Sequence, residues 1–533
     1  MWPLLLFWDD RTLSVFITIS VTILIFLGAS AVVKHFIKDS YVPIRDLSKT
    51  HSWCFSSLFS KPSYCSVCES LIMTGEGAYC DCCGVYADTT CIKNANKLLK
   101  CKTISCSDKV PMKHHWIKGN LPLASVCEVC EDECGVEPGL VDYQCCWCQR
   151  TIHTTCRKKF TEVCDYGPYR CFIVPPTSMS TRRGRRMTRR LTLQEVKPPT
   201  WPDWSPLIVL ANRKSGNNDG ERIMSLFRRF LNPAQVVDLC GCSPVAALQW
   251  CALLGSVKAQ VLVAGGDGTV GWVLNAIDSL KLKVPPSVGI IPLGTGNDLS
   301  QVLGWGRTQT SDLDPTAVLE QIESASEVSL DRWKVLIHPM RHLPMHHPMK
   351  EMFMYNYMSI GVDAQVTLNF HRARESPFYI FSSRFFNRFL YLTYGTREVM
   401  EHGCRDLDKQ LEVYIDGKRV VLPSLEALVI LNIQSWGGGV RPWAMGSGCE
   451  SAPVQDFSDG KLEVMAIHSS FHIAQLQVGL SEPIRIGQAS TVKIKLKAQA
   501  PIQMDGEPWE QPPAEIDVAL HNQALVLQAS EPL

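Results

Sequence analysis

The sequence predicts a multidomain chain: an N-terminal transmembrane helix, two small zinc-bound cysteine-rich modules, then a two-lobed catalytic half with an α/β lobe built on a parallel sheet and a β-rich lobe. Three observations predict it. An uncharged apolar run extends from Leu13 to Val33. Eighteen of the 23 cysteines fall between Cys54 and Cys171, in spacings that suit metal better than disulfides. Beyond residue 204, apolar strands alternate with amphipathic stretches, and one strand runs into Gly265-Gly266-Asp267-Gly268-Thr269. A chain of 533 residues is too long for one core, and a net charge of +1 provides no global field toward nucleic acid.

The first element is the apolar run. Its 21 residues at ~1.5 Å each reach roughly 31 Å, enough to cross a bilayer. Asp9 and Asp10 precede it, and Lys34, Lys38, Arg45 and Lys49 follow, so the positive-inside bias puts the C-terminal bulk in the cytosol. A cleaved signal peptide is the alternative, opposed by the length of the run and its acidic front. A hairpin that does not fully cross is another, because Trp2 to Trp8 is also apolar. The boundaries that follow are a membrane segment over 1–45, cysteine-rich modules over 51–101 and 114–171, an Arg/Pro-rich linker over 172–203, an α/β lobe over 204–348 and a β-rich lobe over 349–533. The linker holds Pro175-Pro176 and then Arg182, Arg183, Arg185, Arg186, Arg189 and Arg190. It reads as a solvated, disordered segment, or as one resting on anionic lipid at about 1 kcal/mol per charge.

The second module carries an ordered ligand string. His114 is followed after twelve residues by Cys127-x2-Cys130, then after fourteen by Cys145-x2-Cys148, then by His153, Cys156 and Cys164. Two histidines and six cysteines complete two tetrahedral sites of the N/S type that zinc prefers. The spacing closely resembles the zinc module of protein kinase C and of diacylglycerol kinases, whose ligand sets interleave. The resemblance implies one site of His114, Cys145, Cys148 and Cys164 and another of Cys127, Cys130, His153 and Cys156. The first module looks like a degraded copy: His51, Cys65, Cys68, Cys80, Cys83, Cys91 and Cys101 keep the order, but Asp88 replaces the second histidine and the last gap is nine residues rather than seven. Asp88 can ligate zinc through oxygen, Cys82 can substitute, or the site is weak; two zincs are expected here as well. These modules serve lipid binding or folding alone. Without zinc they have little apolar core and should unfold.

In the α/β lobe, Leu207–Ala211 is a buried strand, Gly220–Phe230 a helix and Val261–Ala264 the next strand. Val270, Val273, Leu274 and Ile277 recur at helical spacing. Val288–Ile291 is a third strand, ending at Gly294-Thr295-Gly296-Asn297-Asp298. A strand that ends in glycines before a helix brings bare backbone N–H groups onto phosphate oxygens, and an acidic residue in the turn can hold a metal beside them. Asp267 and Asp298 should converge at the carboxyl edge of the sheet, although Asp298 also suits a helix N-cap. The β-rich lobe begins near residue 350, with strands at Leu411–Ile415, Ala427–Ile433, Leu462–Ile467 and Val492–Leu496.

Taken together, Gly265–Trp272, Pro292–Asp298, Asn356–Asp363, Asn432–Trp443 and Gln503–Pro508 resemble the motifs of the diacylglycerol kinase family across nearly the whole chain after residue 50. The resemblance implies an ATP-dependent lipid kinase that uses Mg²⁺, with zinc as a structural metal. Gly265, Gly266, Gly268 and Thr269 would meet the ATP phosphates. Asn212, Ser215 and Gly216, with Lys214, resemble the family's nucleotide-side turn, except that Arg213 stands where the family usually has proline. Gly294, Thr295 and Asn297 would complete the nucleotide site. Asp505 would be the general base for the glycerol 3-hydroxyl, with Glu507 near the metal; a plain β-turn is the bland reading of Asp505-Gly506-Glu507. Asp459, through its carboxylate, and Leu462, through its carbonyl, resemble a structural Mg²⁺ turn, for which an ordinary hairpin turn is the alternative. The membrane segment, the single zinc pair and the lack of an Asp-x-Asp-x-Asp-Gly calcium loop resemble the epsilon type, which implies arachidonoyl preference and an anchor in endoplasmic reticulum or plasma membrane. Partners would be diacylglycerol and the bilayer, not nucleic acid. The aromatic stretch Phe378–Leu392 is read as core packing or as an acyl-chain contact through Phe385 and Phe386. The rival readings are an inactive diacylglycerol-binding adaptor and a kinase for sphingosine or ceramide.

Overall fold

The computed structural model describes residues 42–530, apart from 48–49, 57–58, 60, 74–76, 107–110, 184–190, 217, 308–312, 341–348, 376–403, 405, 447–452 and 478, together with 19, 20 and 22. The expected membrane helix and the aromatic stretch 378–392 therefore lie almost wholly outside the described residues. Among the described residues no helix is long and apolar enough to cross a membrane.

Each cysteine-rich module is a small three-stranded antiparallel sheet held by short turns. The strands are Trp53–Ser56, Gly77–Cys80 and Tyr86–Asp88 in the first module, and Trp116–Lys118, Tyr143–Cys145 and Thr151–Ile152 in the second. The Arg/Pro-rich stretch is not a simple linker. Met179–Arg183 and Leu191–Val196 form an antiparallel hairpin, to which Pro43–Ile44 adds a third strand. Its apolar residues explain this, since Met179, Leu193 and Val196 are buried against the C-terminal half, which outweighs the solvation of the arginines.

The C-terminal half begins with β1 (Leu207–Ala211), α1 (Asp219–Phe230), β2 (Val236–Asp238), β3 (Gln260–Gly265), α2 (Asp267–Leu280), β4 (Ser287–Pro292), α3 (Asp298–Val302) and α4 (Pro315–Ser324). β2, β1, β3 and β4 lie side by side, all parallel, as fully buried apolar strands flanked by helices do. The chain continues through β5 (Ser326–Pro339), β6 (Lys350–Met354), β7 (Tyr357–Gly361), β8 (Leu411–Ile415), β9 (Lys418–Val420), β10 (Ala427–Leu431), β11 (Leu462–Ile467), β12 (Ile484–Ala489), β13 (Thr491–Leu496), β14 (Ala500–Met504), β15 (Glu507–Gln511) and β16 (Ala514–Gln528). The second sheet is antiparallel, in the order β12-β11-β10-β7-β14-β15. β16 breaks the simple two-lobe division. It pairs with β5 along its length, meets β4 in parallel at Val288–Val526, and also carries β13, so the α/β sheet extends into the β-rich lobe.

One continuous core joins the modules to the α/β lobe, running from Cys80 and Trp147 through Phe172 and Trp204 to Leu207 and Phe227. Polar contacts fix the docking. Lys102 is 1% exposed, and its Nζ donates to the carbonyls of Arg228 (3.3 Å), Arg229 (2.7 Å) and Leu231 (2.9 Å) at the C-terminal end of α1. Those carbonyls lack partners within the helix, and the negative end of the helix dipole favours a cation there. The same ammonium lies 4.3 Å from the centre of the Trp147 ring. Beside it, Arg228 donates to the buried Asp81 carboxylate at 2.6 Å.

Candidate active site and zinc centres

The parallel register Gly265–Pro292 brings the ends of β3 and β4 out side by side, so the two glycine turns are adjacent. They are pressed together. A Cβ on Gly266 would lie 3.0 Å from the Gly294 Cα, and one on Gly294 would lie 2.7 Å from the Gly266 Cα. Only glycine permits this approach of backbone to backbone. The Leu293 N–H donates to the Gly265 carbonyl (2.9 Å) and ties the turns further. Thr269 packs on Gly265 and opens α2, and Thr295 is half-buried in the second turn. Asn297, 1% exposed with φ +53°, is committed to the turn: its Oδ1 accepts from the Gly294 N–H, and its Nδ2 donates to the carbonyls of Gly294 and Arg307. It shapes the second glycine turn rather than offering a free side chain to it.

Asp267 is half-buried and accepts from the N–H groups of Asp298 (3.1 Å) and Leu299 (3.2 Å), so it caps α3 from the neighbouring turn. Asp298 is not the N-cap of α3. Asn297 holds that place, while the Asp298 carboxylate turns to the β-rich lobe, accepting from Ser435 Oγ and from the N–H groups of Gly438 (3.0 Å) and Gly439 (3.1 Å). Burial, then the charge of Asp267, pushes Asp298 up to about 6. Burial also raises Asp267 above the usual carboxylate range. In the turn after β1, Asn212 Oδ1 accepts from the Lys214 N–H (3.1 Å) and from the Cys240 thiol, the Ser215 N–H donates to the Asn212 carbonyl, and Gly216 takes φ +63°. Arg213 reaches Asp238 at 3.5 Å.

The β-rich lobe supplies Asp505 from the β14–β15 turn. Its Oδ2 accepts from the Tyr355 N–H (2.9 Å), and its Oδ1 from those of Asn356 (2.8 Å) and Tyr357 (3.1 Å). Burial, outweighing these three donors and helped by Asp267, pushes Asp505 up to about 7. The exposed Glu507 faces the first glycine turn: a Cβ on Gly268 would lie 3.4 Å from its Oε1. Asn356 links Asp505 and Asp267: it gives its N–H to Asp505, and its side chain favours the charged form of Asp267. Asn356 is 3% exposed, and its Oδ1 has no hydrogen-bond partner. Sequence reasoning placed Asn356 in a motif without a role. An asparagine just before a strand, in a segment of apolar and aromatic residues, was the available signal.

The interleaved zinc sets that the resemblance implies are assembled. His51, Cys80, Cys83 and Cys101 converge, as do His114, Cys145, Cys148 and Cys164, and Cys127, Cys130, His153 and Cys156. Cys80 and Cys101 sulfurs are 3.7 Å apart, close to the ~3.8 Å edge of a tetrahedron with Zn–S of about 2.3 Å. The far nitrogens of His51 and His153 meet the carbonyls of Leu99 and Glu133, which fixes the ring orientation. These donors fit zinc. The fourth set contains Cys65, Cys68 and Cys91. Asp88 is not among them. Its Oδ1 accepts from the N–H (2.8 Å) and hydroxyl (2.6 Å) of Thr90, capping the turn Thr89–Cys91. Cys82 points to Asp81 instead. Asp459 accepts from the Lys461 N–H in its own turn, and Leu462 opens β11; the charges of Asp459 and Asp456 bear on the buried Asp331.

Comparison with known proteins sharpens this picture. Residues 206–334 match the diacylglycerol kinase catalytic domain, 353–508 the diacylglycerol kinase accessory domain, and 114–167 the phorbol ester/diacylglycerol binding (C1) domain. The chain is 30% identical over 603 residues to Diacylglycerol kinase 2 of Arabidopsis thaliana, with 90% of this chain and 84% of that protein covered. The chain belongs to the diacylglycerol kinase family. It is also 33% identical over 529 residues to the Probable diacylglycerol kinase 3 of Caenorhabditis elegans, covering 91% of this chain and 64% of that one. With human Diacylglycerol kinase theta it shares 38% over 348 residues, covering 63% of this chain and 36% of that one. A solved diacylglycerol kinase from Bacillus anthracis aligns with a TM-score of 0.38 at 15% identity, covering 61% of this chain and 97% of that one.

Proposed function

We propose that this chain is a membrane-anchored kinase that phosphorylates the 3-hydroxyl of 1,2-diacylglycerol to phosphatidic acid, of the epsilon type with a preference for arachidonoyl chains. The observation that carries the reading is the lodging of Asp505 and Glu507, from the β-rich lobe, against the glycine turns of the α/β lobe. Phosphoryl transfer requires positioning, charge neutralisation and a group that takes the alcohol proton. The glycine turns present backbone N–H groups where side chains would bar a phosphate. Asp267, Glu507 and the free Asn356 Oδ1 are hard oxygen donors of the kind Mg²⁺ takes, and bound MgATP supplies the transferred phosphoryl group and the neutralising charge. Asp505 is held rigidly by three N–H groups and titrates near neutrality, which suits a general base. Asp298 joins the turn at Gly438 to the nucleotide turn and so couples the lobes.

The first cysteine-rich module, the membrane segment 13–33 and the C1 match support work at a membrane surface, with the kinase half in the cytosol on endoplasmic reticulum or plasma membrane. The test is a radiolabelled-ATP assay on mixed micelles, comparing wild type with Gly268→Asp and Asp505→Asn. Label in phosphatidic acid, absent in both variants, with arachidonoyl diacylglycerol favoured over saturated forms, is expected. Label in ceramide or sphingosine instead would move the assignment to another lipid kinase. No label from folded, zinc-loaded protein would leave a diacylglycerol-binding adaptor.

A further inference from the structure

A cavity of about 480 Å³ lies where both cysteine-rich modules meet the kinase half. Its volume falls within the roughly 300–1,000 Å³ of small-molecule sites. None of its lining residues belongs to the glycine turns or to the Asp505 turn. The first module contributes Lys61, the second Trp147 and Tyr166, and the kinase half Arg229, Phe230 and Leu319. The walls are mostly aromatic and aliphatic; the charged side chains among them are the two cations, with the zinc-ligand Cys148 alongside.

Two observations point to an anionic ligand. The Lys61 ammonium donates to the carbonyls of Asn120 and Leu121, so it is held facing inward, but no carboxylate lines the space to neutralise it. Burial, and then the positive charge of Arg229, depress Lys61 to about 8; two neighbouring, half-buried cations favour an anion between them.

We propose that this cavity binds an amphiphile with an anionic oxygen head, a phosphate monoester or carboxylate on an apolar chain. The head sits on Lys61 and Arg229, and the chain lies against Tyr166, Phe230 and Leu319. Because the ligand touches both modules and the kinase half, its binding stabilises their docked arrangement. The chemistry is shared by membrane lipids and by soluble alkyl phosphates.

The test uses the full chain, zinc-loaded, in phosphatidylcholine nanodiscs. Hexyl phosphate, hexanol and inorganic phosphate are titrated while tryptophan fluorescence and melting temperature are followed. A second arm compares nanodiscs of phosphatidylcholine alone with others containing phosphatidate. The variants are Arg229→Met, which removes one cation, and Leu319→Trp, which fills the space without changing charge. Hexyl phosphate is expected to raise the melting temperature and to bind at least about tenfold more weakly to each variant, as loss of a charged hydrogen bond dictates. Hexanol and inorganic phosphate should bind wild type at least about tenfold more weakly than hexyl phosphate. Zinc content and basal kinase activity should match wild type; if Arg229→Met misfolds by those measures, Lys61→Gln takes its place. A rise in melting temperature with phosphatidate nanodiscs that both variants abolish assigns a membrane source, and a response to hexyl phosphate alone assigns a soluble one. Equal affinity of hexyl phosphate for wild type and both folded variants, equal binding of hexanol, or no response in either arm overturns the proposal.

Discussion

Asp505→Asn separates catalysis from stability in a direction that depends on pH. The Asp505 carboxyl titrates at about 7 in the fold, against an ordinary value of 3.8. Below pH 3.8 the folded and unfolded chains both hold the proton, and the group is neutral to stability. Between 3.8 and 7 the unfolded chain loses it while the folded chain keeps it, so stability falls as pH rises; above 7 both are ionised and the penalty is complete. At about 1.4 kcal/mol per pH unit, the full penalty is on the order of 4 kcal/mol, an upper bound for a half-buried group. Asparagine cannot ionise, so the variant escapes the penalty. It loses one N–H bond, because its amide nitrogen faces the Tyr355 N–H that Oδ2 now accepts, at a cost of roughly 1–3 kcal/mol. At pH 5 wild type already carries roughly 1.7 kcal/mol of that penalty, so the two proteins should lie within about 1.5 kcal/mol of each other there, and the variant should gain on wild type by about 2–3 kcal/mol between pH 5 and 7. Over the same range wild-type kcat should rise with ionisation of the base, while the variant retains only about 10⁻² to 10⁻⁴ of it and an unchanged KM for ATP. The assay pairs thermal melts at half-unit pH steps with initial rates on diacylglycerol micelles. Melting curves for the two proteins that shift in parallel from pH 5 to 7.5 would refute the argument, because they would mean that the carboxyl is not held neutral.

Other outcomes follow from the same geometry. Asn356→Leu removes the bridge between Asp505 and Asp267 and the free Oδ1, and should cut kcat by about 10²-fold with the fold retained, whereas a variant with wild-type kcat would make the bridge ornamental. Gly266→Ala puts a methyl 3.0 Å from the Gly294 backbone; a stability loss of about 1–3 kcal/mol with weaker ATP binding is expected in denaturant melts and nucleotide titrations. Asp88→Ala should leave zinc content by atomic absorption unchanged and cost the first module about 1 kcal/mol as a lost cap, while Cys91→Ser should lower the metal count. Lys102→Met strips the cation from three carbonyls at the end of α1 and should destabilise the docked modules by about 2–3 kcal/mol, visible as earlier proteolysis between modules and kinase half.

Much of this architecture can be read from residue spacing. The zinc ligands are legible because Cys and His recur at metal-binding spacings within a short segment, while their interleaved division into sites is what the resemblance to the family's zinc module implies. The four strands near Ala211, Gly265, Pro292 and Ile467 are legible because buried strands are apolar throughout. Asp88 misleads because chemistry alone allows two roles. Asp followed by Thr-Thr is an N-cap pattern, and the local bond to Thr90 wins over a distant metal. The hairpin over 179–196 is hidden by its arginines, since Met179, Leu193 and Val196 are too sparse to outweigh them by composition. Asn356 is invisible for another reason. Its importance lies in facing Asp505 and Asp267, which are about 150 and 90 residues away in the chain, a relation that no local pattern carries. The docking of Lys102 and Asp81 onto α1 is long-range in the same way.

The last strand bears on how the protein is made. The partner of Val288 in β4 is Val526, so the edge of the nucleotide-binding sheet stays open until some 240 further residues have been synthesised. At ribosomal speeds that interval is roughly 10–50 s. During it, an apolar parallel strand presents unpaired backbone groups to every other nascent chain nearby. The modules can load zinc and close early, but the kinase half cannot. Expression of this protein should depend on holding chaperones, and a premature stop anywhere before β16 should be as damaging as one at the glycine turns.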